Sequence, residues 1–216
     1  MSQFNQFAKE VEKVAKLAMA QYMVAESDLA NAKKKMEDFP AHLNVHDPVY
    51  QARALVAKSE WQLAQTEFNA VRHNLVDEIE TKTKDIRREL EAALDKAFAA
   101  SPSQVDNNAL ELLKSGILRP EEYISMIDEA AAKGNFTMTR LIGKYAGDAL
   151  EAEVKKNGNG PAASRLRLAV VRGREAGADG YLNAFDAIAH TARRCIENPG
   201  MQNYWDDAVG NIIEKF

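Results

Sequence analysis

The segment SRLRLAVVRGRE carries Arg165, Arg167, Arg172 and Arg174 within ten residues and contains no lysine. Arginine presents a planar fork that donates two parallel hydrogen bonds, which suits a phosphate or a carboxylate. On a helix, Arg165 shares a face with Arg172, and Arg167 with Arg174, because the members of each pair are seven residues apart. The cluster is therefore a candidate contact for nucleic acid or for a partner with acidic side chains. The charge totals argue against a general grip on nucleic acid. Between Pro161 and Phe216 seven acidic residues balance seven Lys and Arg, and the whole chain has a formal net charge of −4. Pairing with the acidic long second helix, in the same chain or in a neighbouring one, is the expected use of these arginines.

Other residues that could do chemistry lack the company it requires. His42 and His46 have the i, i+4 spacing of a helical metal pair. They fall in the proline-bounded stretch DFPAHLNVHDP, with no glutamate placed as in a zinc-protease motif. His190 and Cys195 are five apart and so lie on different faces of a helix. Arg193 and Arg194 beside Cys195 could lower its pKa, but no partner set for nucleophilic catalysis accompanies it. A buried, inert cysteine is expected. VDEIETKTKDIRRELEAALDK mixes charge signs as a solvated helical face does. Asp206 and Asp207 are adjacent, so on a helix they diverge by about 100°. NGNGP lacks the lysine and hydroxyl residue of a phosphate loop, and GREAGADGY lacks the acidic spacing of a calcium loop. The sequence thus implies no catalytic residue, no cofactor and no metal. The remaining enzymatic reading is a site between helices that uses His190 or Asp206.

Small residues give one further pattern. Gly143 with Gly147, and Gly173 with Gly177, each place two glycines one helical turn apart. Such pairs permit close backbone approach, either between helices of this chain or in self-association with another copy.

The elements that must position these residues fall into two styles. All eleven glycines lie at or after Gly116. Glycine destabilises a helix interior by about 1 kcal/mol relative to alanine, so the earlier glycine-free stretch predicts long helices. Phe4, Phe7, Val11, Val14, Ala18, Tyr22, Ala25, Leu29, Ala32 and Met36 form one stripe by steps of three and four. Asp47 and Pro48 then restart the chain as cap and first helical residue. The second segment runs from Pro48 to about Ala100, and its later part shows an 11-residue repeat. Ala64, Leu75, Ile86 and Ala97 occupy one position, and Phe68, Ile79 and Leu90 the next. These two helices, roughly 50 Å and 80 Å long, are expected to form an antiparallel, coiled-coil-like hairpin over residues 1–100.

After ASPSQVDNN the grammar changes. Shorter helices are predicted over 107–115 and 120–133, over 137–156, from Pro161, over about 182–196, and at the C-terminus. Glycine or NPG marks the stops, and proline several of the starts. Residues 101–216 are therefore read as a compact bundle of four to six helices, and the fold class as all-α. The single cysteine, Cys195, excludes an intrachain disulfide framework and fits a reducing compartment. MSQFNQFAKEVEKVAK has no signal-peptide pattern, and the most apolar run, LAMAQYMVA, is too short to span a bilayer. A soluble cytoplasmic protein without membrane contact is expected.

LLKSGILRPEEYISMIDEAAAKGNFTMTRLIGKYA, residues 112–146, resembles uncharacterised small helical proteins encoded by phages and prophages of Gram-positive bacteria. The resemblance rests on SGIL-x-P-E-E-Y followed by N-x-T-M-x-R-L-I-x-K-Y-A and spans about a sixth of the chain. Those proteins usually carry threonine before the proline; Arg119 stands there in this chain, without a hydroxyl to cap the helix. The resemblance implies a phage-related origin, hence a bacterial host cytoplasm or a virion, and transfers no catalytic residue. A non-enzymatic structural or assembly protein, scaffold-like or capsid-associated, is the leading expectation. It would bind a protein partner or a second copy through its long helices. A nucleic-acid-binding or packaging-linked module using 165–174 is the alternative.

Overall fold

The local signals at the helix ends operate in the structure, a computed structural model that describes residues 4–40 and 46–215. Every regular element among these residues is helical. In chain order they are α1 (Asn5–Glu37), α2 (Pro48–Ala97), α3 (Asn107–Ser115), α4 (Pro120–Ala132), α5 (Phe136–Asn157), α6 (Pro161–Glu175), α7 (Ala178–Glu197) and α8 (Trp205–Lys215). Short 3₁₀ turns occupy Pro102–Gln104 and Pro199–Tyr204. The all-α expectation holds.

The caps explain the boundaries. Asp47 accepts from Val49 N at 2.9 Å to open α2, and Asp106 accepts from Asn108 N and Ala109 N at 2.9 and 3.1 Å to open α3. Gly116, in the left-handed region at φ 68°, ends α3. At the end of α4, Gly134 N bonds to Ala131 O and Asn135 N to Ala130 O, each at 2.9 Å, which closes a Schellman motif. The Asn135 side chain then accepts from Met138 N at 3.1 Å, so one residue ends α4 and starts α5.

Arg119 cannot accept the bond that threonine would. The other half of a capping box replaces it: Glu122 accepts from Arg119 N at 2.7 Å and from the Arg119 guanidinium at 3.1 Å. The backbone N–H first, and then the guanidinium, hold the Glu122 carboxyl below its ordinary range. The resulting stabilisation is present above the usual carboxylate pKa and is lost as pH falls through the lowered value. Glu122→Gln is accordingly expected to weaken urea resistance near neutral pH. The difference from the native chain should shrink to nothing in acid, and a gap that widens on acidification would contradict this account.

Two compact units emerge, and the divisions between them fall inside α2 and α7. The first comprises the described parts of 1–87 and 186–216. Within it α1 and α2 run antiparallel: the rings of Tyr22 and Phe68 lie 5.4 Å apart, and those of Phe39 and Tyr50 5.5 Å apart. The core draws Phe7, Val11, Ala15 and Tyr22 from α1, Leu75 and Ile79 from α2, Ile188, Ala192 and Ile196 from α7, and Trp205 and Val209 from α8. Arg72 reaches the last carbonyls of α7, donating to Ile196 O at 3.3 Å and Glu197 O at 2.6 Å. A cation there offsets the negative end of the helix.

The second unit, 88–185, is built on α4, α5 and α6. Its core holds Leu113, Tyr123, Ile127, Met138, Ile142, Ala146, Leu166 and Ala169. Phe98, near the end of α2, packs its ring 4.3 Å from Phe136 and 5.9 Å from Tyr181.

Candidate functional site

The paired glycines serve a close crossing inside the second unit. A Cβ added to Gly173 would lie 3.0 Å from Gly143 Cα, and one added to Gly143 would lie 3.4 Å from Gly173 Cα. A Cβ on Gly147 would meet Val170 at 4.0 Å. As numbers rise along α5 they fall along α6, so the two helices run antiparallel. Gly177 stands where the chain leaves α6; its N–H donates to Arg174 O at 3.0 Å.

This crossing lies along a cleft of about 500 Å³. All four glycines and Arg174 line it, together with Arg140 and Lys144 of α5. Lys144 directly follows Gly143, and Arg174 directly follows Gly173, so the glycine contact brings these two cations close in chain position to one crossing point. Arg140, one turn before Lys144, donates to Phe98 O at 3.3 Å, and the Lys144 ammonium sits 5.9 Å from the Tyr145 ring centre. Asp95 and Asp179 also line the cleft. Among the described residues, none of Arg140, Lys144 and Arg174 forms an ion pair with a carboxylate.

The other arginines of the cluster have different fates. Arg165 pairs with Glu121, and Arg172 with Asp128 at 2.6 Å. The seven-residue spacing on α6 is thus matched by a seven-residue spacing on α4. The long α2, the expected partner, does not receive Arg165 or Arg172: the acids that do come from α4, which lies against α6 in the same unit. Arg167 bonds to the Asn159 side chain. Arg140 and Lys144 drew no notice in the sequence. The signal that could have found them is their i, i+4 spacing around Gly143, on the face that α6 meets.

The remaining candidates are dispersed. His42 lies outside the described residues. His46 and His190 are exposed, and His73 sits 3.4 Å from Asp77. Cys195 is fully buried, and burial pushes its thiol pKa up. Arg193 beside it turns to Glu80 and Glu197 instead. Asp206 is exposed, 3.8 Å from Lys16. Among the described residues no three His, Cys, Asp or Glu side chains gather as metal ligands. No helix among them is long and apolar enough to cross a membrane.

A second surface lies on the first unit. Between residues 48 and 74 only Ala57 is fully buried. Val49, Val56 and Leu63 of α2 are 61, 57 and 60% exposed and stand seven residues apart, with Leu55 beside them at 67%. On α1, Leu17 and Val24 repeat the spacing and are exposed too, as is Met23. Isolated exposed apolar residues are ordinary, but this row repeats at seven-residue intervals along one side of α2, one apolar position in each heptad.

No protein-family model matches the chain, and no curated protein or solved structure does so either.

Proposed function

We propose that the protein is a non-enzymatic assembly protein of phage-related origin that associates through its long helices, acting in a bacterial cytoplasm or on a virion as a scaffold-like or capsid-associated component. The row Val49, Val56, Leu63 carries this reading. A hairpin of two helices can bury only one stripe of each, and here a second apolar stripe remains in water over several turns. Burying a fully exposed valine or leucine on a further helix contributes about 1.5–3 kcal/mol. A second copy presents the same row, so a coiled-coil-like seam between copies suits it.

Light scattering across a sizing column tests this. The native chain should show a mass above the 24.0 kDa of one chain that rises with concentration. Val56→Lys with Leu63→Lys should return it to one chain's mass at unchanged helicity, because both positions are exposed within the chain. A native mass of one chain at every concentration would defeat the reading.

The nucleic-acid alternative has less support. Glu121 and Asp128 already engage two of its four arginines, and Asn159 engages a third. A small positive field is left for a polyanion.

A further inference from the structure

We propose that the cleft at the α5–α6 crossing binds a small oxyanion of the phosphate or phosphomonoester class, held by Arg140, Lys144 and Arg174. This site is separate from the long-helix surface and does not depend on its role. Three observations combine. The first is the cleft itself, about 500 Å³, which is large enough for a small phosphate ester. The second is charge. Three cations line one cleft, and none has a carboxylate partner among the described residues, although Arg165 and Arg172 on the same helix α6 are both paired. Like charges collected in one recess repel, and an anion entering it relieves that repulsion. Asp95 and Asp179 in the lining offset part of the field without pairing, leaving the lining charge at one positive by simple count of three cations against two carboxylates.

The third is the crossing. Because Gly143 and Gly173 have no side chains, the two backbones come close there, and the residues that follow each glycine, Lys144 and Arg174, both line the cleft. Arg140 is steadied by its bond to Phe98 O, and Phe98 is itself fixed between Phe136 and Tyr181. The first residues of α7, Ala178 and Asp179, complete the lining, and the N–H groups of a helix's first turn add to the attraction for an anion. A planar carboxylate is satisfied by one arginine fork. A tetrahedral phosphoryl group has acceptor directions for donors from both helices, which is why phosphate is favoured.

Thermal unfolding of the full chain in inorganic phosphate, against chloride at matched ionic strength, reads this directly. Phosphate stabilises folded proteins generally through exclusion from their surface, so the diagnostic is the contrast between native chain and variants. The native chain should show a saturable rise in Tm. Arg174→Gln and Lys144→Gln, both at exposed positions, should each weaken the apparent affinity about tenfold. Arg165→Gln should leave it intact. Equal Tm in phosphate and chloride overturns the proposal, and so does a phosphate effect that both cleft variants retain. A phosphomonoester and a short DNA duplex are run in parallel. Saturable binding of the monoester, lost in the same variants, supports the site. Duplex binding without any phosphate effect overturns it in favour of a backbone-binding surface.

Discussion

Gly180→Ala is expected to cost about 3 kcal/mol of stability and to lower the Tm by roughly 10 °C for a chain of this size. Gly180 lies in the first turn of α7, directly after the connection Ala176–Gly177. A Cβ there would sit 2.0 Å from the carbonyl oxygen of Glu175, the last residue of α6, and 2.9 Å from its carbonyl carbon. Both are backbone atoms, so no side chain can swing aside. The chain would have to reopen the reversal between α6 and α7, which the bonds from Ala176 N to Arg172 O and from Gly177 N to Arg174 O hold closed at 2.9 and 3.0 Å. Alanine's better helix propensity is worth at most about 1 kcal/mol and cannot compensate. Calorimetry of the single variant decides the point, and an unchanged or raised Tm would show that the reversal does not depend on the missing Cβ.

Gly173→Leu should cost about the same, about 3 kcal/mol, by a different route. Its Cβ would stand 3.0 Å from Gly143 Cα and 3.6 Å from Ile127 Cδ1, and the branch beyond it has no room. Separating α5 from α6 loosens Ile142 and Ala146 from Leu166 and Ala169 in the core of the second unit. Gly143→Ala makes the internal comparison. Its Cβ would meet Gly173 Cα at 3.4 Å, an ordinary contact, so the gain in helix propensity leaves it near neutral. At Gly210, where nothing lies within 4 Å of an added Cβ, alanine should stabilise by up to about 1 kcal/mol. If leucine at 173 and alanine at 210 moved the Tm alike, the α5–α6 crossing would not be the cause.

The helix ends were the most legible part of the chain. Pro48, Pro120 and Pro161 each open a helix, and Gly116 and Gly134 follow two helix ends, as their residue types imply. The 11-residue repeat in α2 marked Leu75, Ile79 and Leu90, which are buried, but also Ala64, Phe68 and Ile86, which are half-buried, and Ala97, which is exposed. The glycine pairs announced close approach, but not that Gly143 meets Gly173. The arginine cluster announced ion pairing, but not that α4 supplies the acids. The cleft was the least legible feature. Arg140 and Lys144 look like ordinary surface residues of an amphipathic helix until α6 is laid against them.

What the sequence by itself determined is local. A cap, a proline at a first helical position or a glycine in the left-handed region depends on the backbone conformation of a few neighbouring residues, and so can be read along the chain. Amphipathic stripes belong with these, because a period of 3.6 is a property of one helix. Only the tertiary structure decided how the helices are rotated and in what register they meet. That choice set Glu121 and Asp128 opposite Arg165 and Arg172, 44 residues away in sequence. It left Arg174 with Arg140 and Lys144 in the cleft, and it joined 186–216 to 1–87. The physical reason is that register follows from the summed packing of many side chains across an interface, and no single residue carries that sum.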